Sequence, residues 1–469
     1  MKHLNNNKTM KGFRSVIFFL VLAMPGYILF AQGDSVMRFS LVDAQNYGIS
    51  NFYVSKNAKL DIEEAKKIVW QTTAIGLPQV KASASYTYIP GYIPNVDFGA
   101  LIGQGLAPIF NDLINNGVLN PDSVPKGGGG SPIAARSSLT YGFTVSQLIF
   151  SGEYIVGLQA SKVYKLISEQ ANEKTEIELR KSIADNYYGC LILEKNKIIL
   201  EQTLNNLKDN LDQQEKTFKS GFIEDIDVDQ IRLLVKRTEN SLTTLDRQEE
   251  VLNKMLKYQL GMTNDQSLEL TDSLDNLINI NIINDSEYKF ILDENIDYQI
   301  LGNREKSMKL LLKREETTFL PTIAGFYQYQ DKTNKAFLDF TINNLIGISI
   351  NVPIFSSGSR MVTVGAARIE YEKVQNMREQ EANRLNMVAQ QTLYDYRSAL
   401  EKYQNEKENF ELSKKVYDKT SIKFKEGTVS SLNLSLINSQ FLQAQMSYAL
   451  AVQELLNAKT ALDKAYNKL

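Results

Sequence analysis

Proline is missing from two long stretches of this chain, residues 133–320 and 354–469. The ten prolines all fall before or between these stretches. A proline inside a helix costs roughly 3 kcal/mol, because it removes a backbone hydrogen bond and clashes with the preceding turn. Both stretches also repeat apolar residues three, four and seven positions apart, as in Leu200, Leu204 and Leu207. The two stretches are therefore predicted to form very long helices that pack like coiled coils.

A glycine interrupts each helical pattern, and the pattern resumes after it. The first pattern runs from Gly152 to Gly221, which corresponds to a helix of roughly 100 Å. Gly427 holds the same place in the second stretch. Glycine suits the left-handed conformation that ends a helix. We therefore predict two antiparallel helical hairpins, over residues 152–261 and 358–467, with Gly221 and Gly427 at their tips.

Short motifs recur in the same order in both halves of the chain. The matched segments are 77–80 with 320–323, 147–152 with 352–358, and 218–221 with 424–427. The same offset separates Gly152 from Gly358 and Gly221 from Gly427, which chance rarely produces over so long a segment. The chain is therefore predicted to consist of two tandem structural repeats, residues 32–261 and 293–469, each beginning with a helix.

Two segments before each hairpin alternate between apolar and polar residues. The four predicted strands cover residues 79–90, 138–150, 321–330 and 341–353. Between the first two lies an insertion, residues 91–137, rich in proline, glycine and asparagine. Segments of this kind fit the strands of a membrane β-barrel, and they also fit a soluble amphipathic sheet.

The first residues favour the membrane interpretation. Four basic residues, Lys2, Lys8, Lys11 and Arg14, precede an apolar run that ends before Ala31. This pattern predicts a secretory signal peptide over residues 1–31. A membrane barrel has no open edges and needs at least about eight strands. A chain with four strands must therefore assemble, and two, three or four copies would supply enough strands.

Rare residues argue against enzymatic chemistry. The single histidine, His3, lies in the predicted signal peptide, and Cys190 is the only cysteine. Imidazole-based metal sites, histidine acid–base catalysis and CxxC motifs are therefore excluded from the mature chain. The chain is predicted to be no enzyme and to bind no cofactor or metal. Its mildly acidic mature charge also argues against a nucleic-acid partner.

Cys190, Trp70 and an acidic triplet are interpreted as structural, not as chemical or metal-binding, features. Cys190 occupies a helix-packing position, so we expect a buried, unreactive thiol. Trp70 is expected to be a packing anchor on the helix before Pro78. The spacing of Asp225, Asp227 and Asp229 is that of a calcium loop, but the glycine and closing glutamate that such a loop requires are absent.

The order of these motifs resembles the TolC family of outer-membrane efflux channels. The markers are the segments 40–44, 77–80, 150–152 and 260–262, together with the two Phe-x-x-Gly tips. The resemblance implies a homotrimer with a 12-stranded β-barrel, four strands per chain, continuous with a helical coiled-coil barrel. It further implies that residues 262–292 form part of an equatorial belt around this tunnel.

The resemblance also implies where the working residues lie. The docking site for a periplasmic adaptor would be Gly221, Phe222, Ile223, Gly427, Thr428 and Val429. Related channels carry acidic residues six and nine positions after the second tip glycine, where this chain has Asn433 and Leu436. The candidate aperture residues are therefore Asp225, Asp227, Asp229 and Asn433. Carboxylates near a helix N-terminus also stabilise the helix dipole, so both roles stay open.

Two functions remain in view from the sequence. The first is a passive outer-membrane channel of a tripartite efflux or type I secretion system, with its helical tunnel in the periplasm of a Gram-negative bacterium. Its partners would be a periplasmic adaptor, an inner-membrane transporter and outer-membrane lipid. The alternative is a non-transporting trimeric coiled-coil scaffold at the surface or in the periplasm, which would leave the duplicated strand pairs unexplained. The sequence does not identify the cargo.

Overall fold

A computed structural model describes residues 36–97, 105–118, 121, 131–132, 134–282, 288–334 and 341–469. The predicted signal peptide lies outside these residues, as does part of the insertion. The strands are β1 (Met37–Phe39), β2 (Gln79–Tyr88), β3 (Asn95–Val96), β4 (Ser131–Pro132), β5 (Ser137–Phe150), β6 (Leu268–Leu270), β7 (Thr322–Lys332) and β8 (Asn344–Asn351). Of these, β8 is shorter than the segment 341–353 expected from the sequence, and it ends two residues before Pro353, which has no backbone N–H to donate.

Helices make up most of the described chain. They are α1 (Leu41–Asn51), α2 (Tyr53–Ile75), α3 (Ala107–Asn115), α4 (Gly152–Lys219), α5 (Asp225–Leu260), α6 (Leu274–Asn281), α7 (Ile296–Thr317), α8 (Ser359–Lys425) and α9 (Ser431–Ala465). Side-chain oxygens of Ser40, Ser151 and Ser430 accept hydrogen bonds from first-turn N–H groups, so these serines begin α1, α4 and α9. None of the described helices combines the length and apolar content that a membrane-spanning helix requires.

Four helix ends in the two hairpins share one backbone motif. Gly221, Gly261, Gly427 and Asn467 adopt left-handed conformations, with φ of 77°, 70°, 73° and 56°. At each end, two successive N–H groups bond back to the last turn, as Gly221 N does to Phe218 O at 2.8 Å and Phe222 N to Thr217 O at 3.2 Å. Gly261 and Asn467 are separated by the same offset as the tip glycines. The duplication therefore extends to the upper ends of the hairpins.

A four-stranded antiparallel sheet, in the order β2-β5-β7-β8, is connected to the start of both hairpins, through β5 and β8. Its register places Val80, Val145, Tyr327 and Ile346 in one row across the four strands. The apolar positions of the separate strands therefore fall on the same face of the sheet, and Val80 and Ile346 are exposed on it. Within the described chain, the outer edges of β2 and β8 have no partner strand.

A second sheet joins the start of the described chain to the segment between the repeats. Strand β1 pairs in parallel with β6, with Met37 opposite Leu268 and Phe39 opposite Leu270. Tyr187 on α4 fastens this junction, because its hydroxyl lies 3.0 Å from both Phe39 O and Asp272 Oδ2. The described part of the segment 262–292, expected to be a belt, thus contacts the N-terminal strand and the middle of α4.

Two apolar cores lie along the hairpins. The upper core, which is the one farther from the hairpin tips, surrounds Ile183, Tyr187, Tyr396 and Leu455. It includes residues of α1 and α6. The second, here called the tip core, consists of Leu204, Leu207, Ile231, Leu234, Val235, Tyr417, Phe424, Leu434 and Phe441. Because the tip core draws on α4, α5, α8 and α9, it packs the two hairpins of one chain against each other.

Several apolar side chains remain exposed on one chain. On α2, Tyr53, Leu60 and Trp70 are largely exposed, and the exposed fraction of Trp70 is 64%. The expectation that Trp70 anchors packing within the chain is therefore wrong. A lone aromatic on an amphipathic helix gives no sign of which neighbour covers it, and here the described residues of the same chain leave most of Trp70 uncovered.

Part of the insertion is described. Strands β3 and β4 pair near its two ends, and α3 lies between them in the sequence. The insertion leaves the sheet where Tyr88 pairs with Ser137, the end farthest from the hairpins. Its two ends therefore leave the sheet on the side opposite the helical hairpins.

Candidate functional site at the hairpin tips

The two tips are exposed turns of the same geometry. Phe222 is 82% exposed, and Gly221, Gly427 and Thr428 are exposed beside it. A Cβ atom added to either tip glycine would meet nothing within 4 Å. Ile223 and Val429 are half-buried under the turns. The six predicted docking residues thus form two adjacent protrusions, and only the left-handed backbone restricts substitution at the glycines.

Direct hydrogen bonds join the two tips. Gln213 Nε2 of the first hairpin donates to Lys425 O of the second at 2.9 Å. Ser431 lies within hydrogen-bonding distance of Asp227 Oδ1 and of Gln230 Oε1. A hydroxyl carries one hydrogen, so Ser431 donates to the ionised carboxylate, the stronger acceptor. Ser431 is buried, which shields this bond from solvent.

The candidate aperture residues have different surroundings. Asp225 is exposed in the first turn of α5, where its charge stabilises the helix dipole. Asp229 forms an ion pair with Arg232 at 2.5 Å, and Arg232 also contacts Glu215 at 3.0 Å. Asn433 is exposed, and its backbone N–H donates to Ser430. The structure therefore brings Asp227 to the second hairpin through Ser431, not through Asn433.

Sequence reasoning missed Ser431 and Gln230. The repeat offset aligns Ser431 with Asp225, so the duplication marks position 431 as a counterpart of the acidic cluster. What it does not reveal is that the Ser431 side chain crosses to Asp227. No group of three or more potential metal ligands occurs among the described residues.

A polar cavity of about 420 Å³ lies higher up, between α4, α7 and α8. Arg378 Nη1 donates to Glu305 Oε2 at 2.8 Å, and the guanidinium lies 4.7 Å from the ring centroid of Tyr298. Burial raises the pKa of the Glu305 carboxyl, but hydrogen bonds from Arg378, Gln375 and Tyr371 outweigh it and hold the pKa below its ordinary value. These charges bind each other and hold α7 against α8.

Cys190 lies in the upper core and is 4% exposed, so the expected burial of its thiol is confirmed. Burial raises the pKa of this thiol to about 12. The thiolate is the reactive form, so Cys190 is unsuited to nucleophilic or redox chemistry at neutral pH.

Comparison with known proteins identifies the family. The model of the family described as "Outer membrane efflux protein" matches residues 115–256 and 313–468, more than half of the chain. No curated protein sequence matches the chain.

Solved structures share the fold at low sequence identity. CusC has a TM-score of 0.69 and 14% identity, over 91% of this chain and 92% of its own. VceC of Vibrio cholerae has a TM-score of 0.67 and 15% identity, over 91% of this chain and 95% of its own. CmeC of Campylobacter jejuni has a TM-score of 0.69 and 15% identity, over 91% of this chain and 85% of its own. Together with the family match, these confirm the resemblance to TolC-like channels. The chain belongs to the outer membrane efflux protein family, whose members are channels of the Gram-negative outer membrane with a helical tunnel in the periplasm.

Proposed function

We propose that this protein is the outer-membrane channel of a tripartite efflux or type I secretion system. Substrates would pass from an inner-membrane transporter, through a periplasmic adaptor and this channel, to the exterior. The observation that carries the proposal is the architecture of one chain. An open-edged sheet with an apolar outer face is joined directly to two hairpins of roughly 100 Å.

The open sheet edges support assembly into a trimer. Unpaired backbone N–H and C=O groups are very unfavourable in lipid, so the edges of β2 and β8 must be covered. Because β2 and β8 run antiparallel in the sheet order, β8 of one copy can pair with β2 of the next. The family resemblance selects three copies from the numbers that would close a barrel. Among the related structures, CusC forms a transmembrane channel and CmeC is an outer membrane channel.

The tips support the adaptor assignment. Phe222 offers an exposed aromatic side chain, of the kind enriched at the centres of protein interfaces. Gly221 and Gly427 let a partner approach the backbone closely, because an added Cβ at either glycine would meet nothing within 4 Å. The family is one of channels, not of enzymes, and the sequence has no phosphate-binding loop of the GxxxxGK type. Transport energy would therefore come from the inner-membrane partner.

The aperture would lie between the hairpins. The bond from Ser431 to Asp227 holds the second tip against the first within one chain. Breaking it would remove one of the bonds between the tips and weaken their contact, so we assign the pair to the closed state of the channel. Asp225, Asp229 and Asn433 would line the opening as polar, solvent-accessible groups.

Cell fractionation with crosslinking, followed by an export assay, tests the proposal. The protein should crosslink as a trimer in the outer-membrane fraction. Gly221→Trp and Gly427→Trp should abolish export while leaving trimers in place. Gly117→Trp is the matched control, since Gly117 also has a positive φ and open surroundings but lies in the outer insertion. If both tip variants export normally, the adaptor assignment is wrong.

The scaffold alternative receives no support from a specific feature. A coiled-coil scaffold needs neither a sheet with an apolar exposed face nor duplicated strand pairs. Crosslinked trimers found only in the soluble periplasmic fraction would favour it over the channel.

A further inference from the structure

Four polar side chains are buried within the tip core. Asn210 on α4, Tyr417 and Ser421 on α8, and Asn438 on α9 are between 0 and 7% exposed. We call them the polar layer. Their neighbours in sequence, such as Leu207 and Phe441, belong to the apolar tip core. The layer therefore interrupts the packing that holds the two hairpins together.

The hydrogen-bonding groups of the polar layer are poorly satisfied. Its one bond between the hairpins is long, 3.4 Å from Asn210 Nδ2 to Ser421 Oγ. Asn210 Oδ1, Tyr417 Oη and Asn438 Oδ1 have no hydrogen-bond partner in the described chain. Burial also raises the pKa of the Tyr417 phenol, in keeping with a hydroxyl removed from water. A buried polar atom without a partner destabilises the packed state relative to one in which water reaches it.

Other buried hydroxyls in the same region differ from the layer. Thr203 donates to Ile199 O at 3.0 Å, and Thr238 donates to Leu234 O at 2.8 Å. These threonines are satisfied within their own helices, so separating the hairpins would not change their bonding. By contrast, Asn210, Tyr417 and Asn438 each keep a buried oxygen without a hydrogen-bond partner in the described chain.

The second hairpin is internally well connected. An aromatic stack runs between α8 and α9, through Tyr403, Tyr448, Phe410, Phe441 and Tyr417, with centroid distances of 5.0 to 6.0 Å. Aromatic pairs at these distances stabilise beyond their buried area. The hairpin can therefore move as one body, while its contact with the first hairpin contains the unsatisfied layer.

We propose that the polar layer is the plane along which the second hairpin separates from the first when the tunnel end opens. In the open state, water hydrates Asn210, Tyr417 and Asn438, which lowers the free-energy difference between closed and open tips. This inference rests on the proposed channel function, because it names the residues that set how readily the aperture opens.

The test uses the assembled full chain and measures exposure of the tip core. Leu207→Cys in a Cys190→Ala background places one thiol in this core, since Leu207 is fully buried. The rate of maleimide labelling then reports how often the hairpins part. Tyr417→Phe removes only the unpartnered hydroxyl, and it should slow labelling about tenfold. Asn438→Leu, made separately, should slow it by a similar factor.

Thr238→Val is the matched control. It removes a buried hydroxyl from the same bundle, but one bonded within its own helix, so labelling should not slow. Equal or faster labelling in both Tyr417→Phe and Asn438→Leu would overturn the inference. Labelling requires neither conductance nor export, so failure of the channel proposal would be seen in separate assays and would not be confused with this result.

Discussion

Replacing Gly261 by alanine should destabilise the protein far more than the same change at Gly221. Both glycines have nearly the same left-handed backbone, with φ of 70° and 77°. They differ in surroundings. A Cβ at Gly261 would lie 2.7 Å from Asn51 O and 2.9 Å from Asn51 C, whereas a Cβ at Gly221 would meet nothing within 4 Å.

The magnitude follows from the backbone conformation, the flexibility of the unfolded chain and, at Gly261 alone, a steric clash. The left-handed conformation costs an L-residue about 1–2 kcal/mol, and loss of glycine's flexibility in the unfolded chain offsets about 0.4–1 kcal/mol of this. Gly221→Ala should therefore cost about 1 kcal/mol. At Gly261 the clash is with backbone atoms at the junction of α1 and α2, which cannot rotate away. Overpacking of this kind adds about 1–3 kcal/mol, giving a total of about 2–4 kcal/mol.

The assay is chemical denaturation of both variants and the parent protein in detergent, followed by circular dichroism of the helices. The predicted order of stability is parent, then Gly221→Ala, then Gly261→Ala, and the second step should be larger than the first. Equal stability of the two variants would refute the reasoning, because it would mean that the contact with Asn51 carries no steric penalty.

Three further predictions concern the tip, the cavity and the thiol. Ser431→Ala removes the hydroxyl that donates to the Asp227 carboxylate. Since hydrogen bonds to charged groups contribute about 1.5–3 kcal/mol, the opening frequency of the channel in bilayers should rise at least about tenfold. Ser439 is exposed, so Ser439→Ala should leave the opening frequency unchanged. Glu305→Gln should lower the free energy of unfolding, relative to the parent, above about pH 4.5, the ordinary pKa of a glutamate carboxyl. The reason is that a carboxyl whose pKa is lowered in the folded state stabilises the protein only while it is ionised. This difference from the parent should vanish as pH falls through the depressed pKa, and denaturation at several pH values measures it. Cys190 should resist maleimide in the folded trimer and react after denaturation, as mass spectrometry would show.

Features set by local chemistry could be predicted from the sequence. The tip glycines were found because a left-handed helix end requires a residue such as glycine, and Gly221 and Gly427 adopt it. The apolar strand faces were found because side chains alternate along a strand, and the register aligns Val80 with Ile346 across the sheet.

Features set by distant partners could not be predicted. Strand β1 has three residues, and it exists through its pairing with β6 more than two hundred positions away. Ser431 directly follows the helix-capping Ser430, and a serine in a first helical turn gives no sign that it bonds to Asp227. Trp70 is expected to anchor packing because large aromatics are usually covered, but the described part of the chain leaves it 64% exposed.

Planar-bilayer conductance of the purified, crosslinked trimer tests the channel directly. The proposal is that the open sheet edges, the apolar face and the long hairpins assemble into a pore that crosses the outer membrane. We expect discrete ion-conductance steps from trimers and none from monomers. Trimers that insert into the bilayer and conduct no ions, even with Ser431→Ala at the tip, would contradict the account.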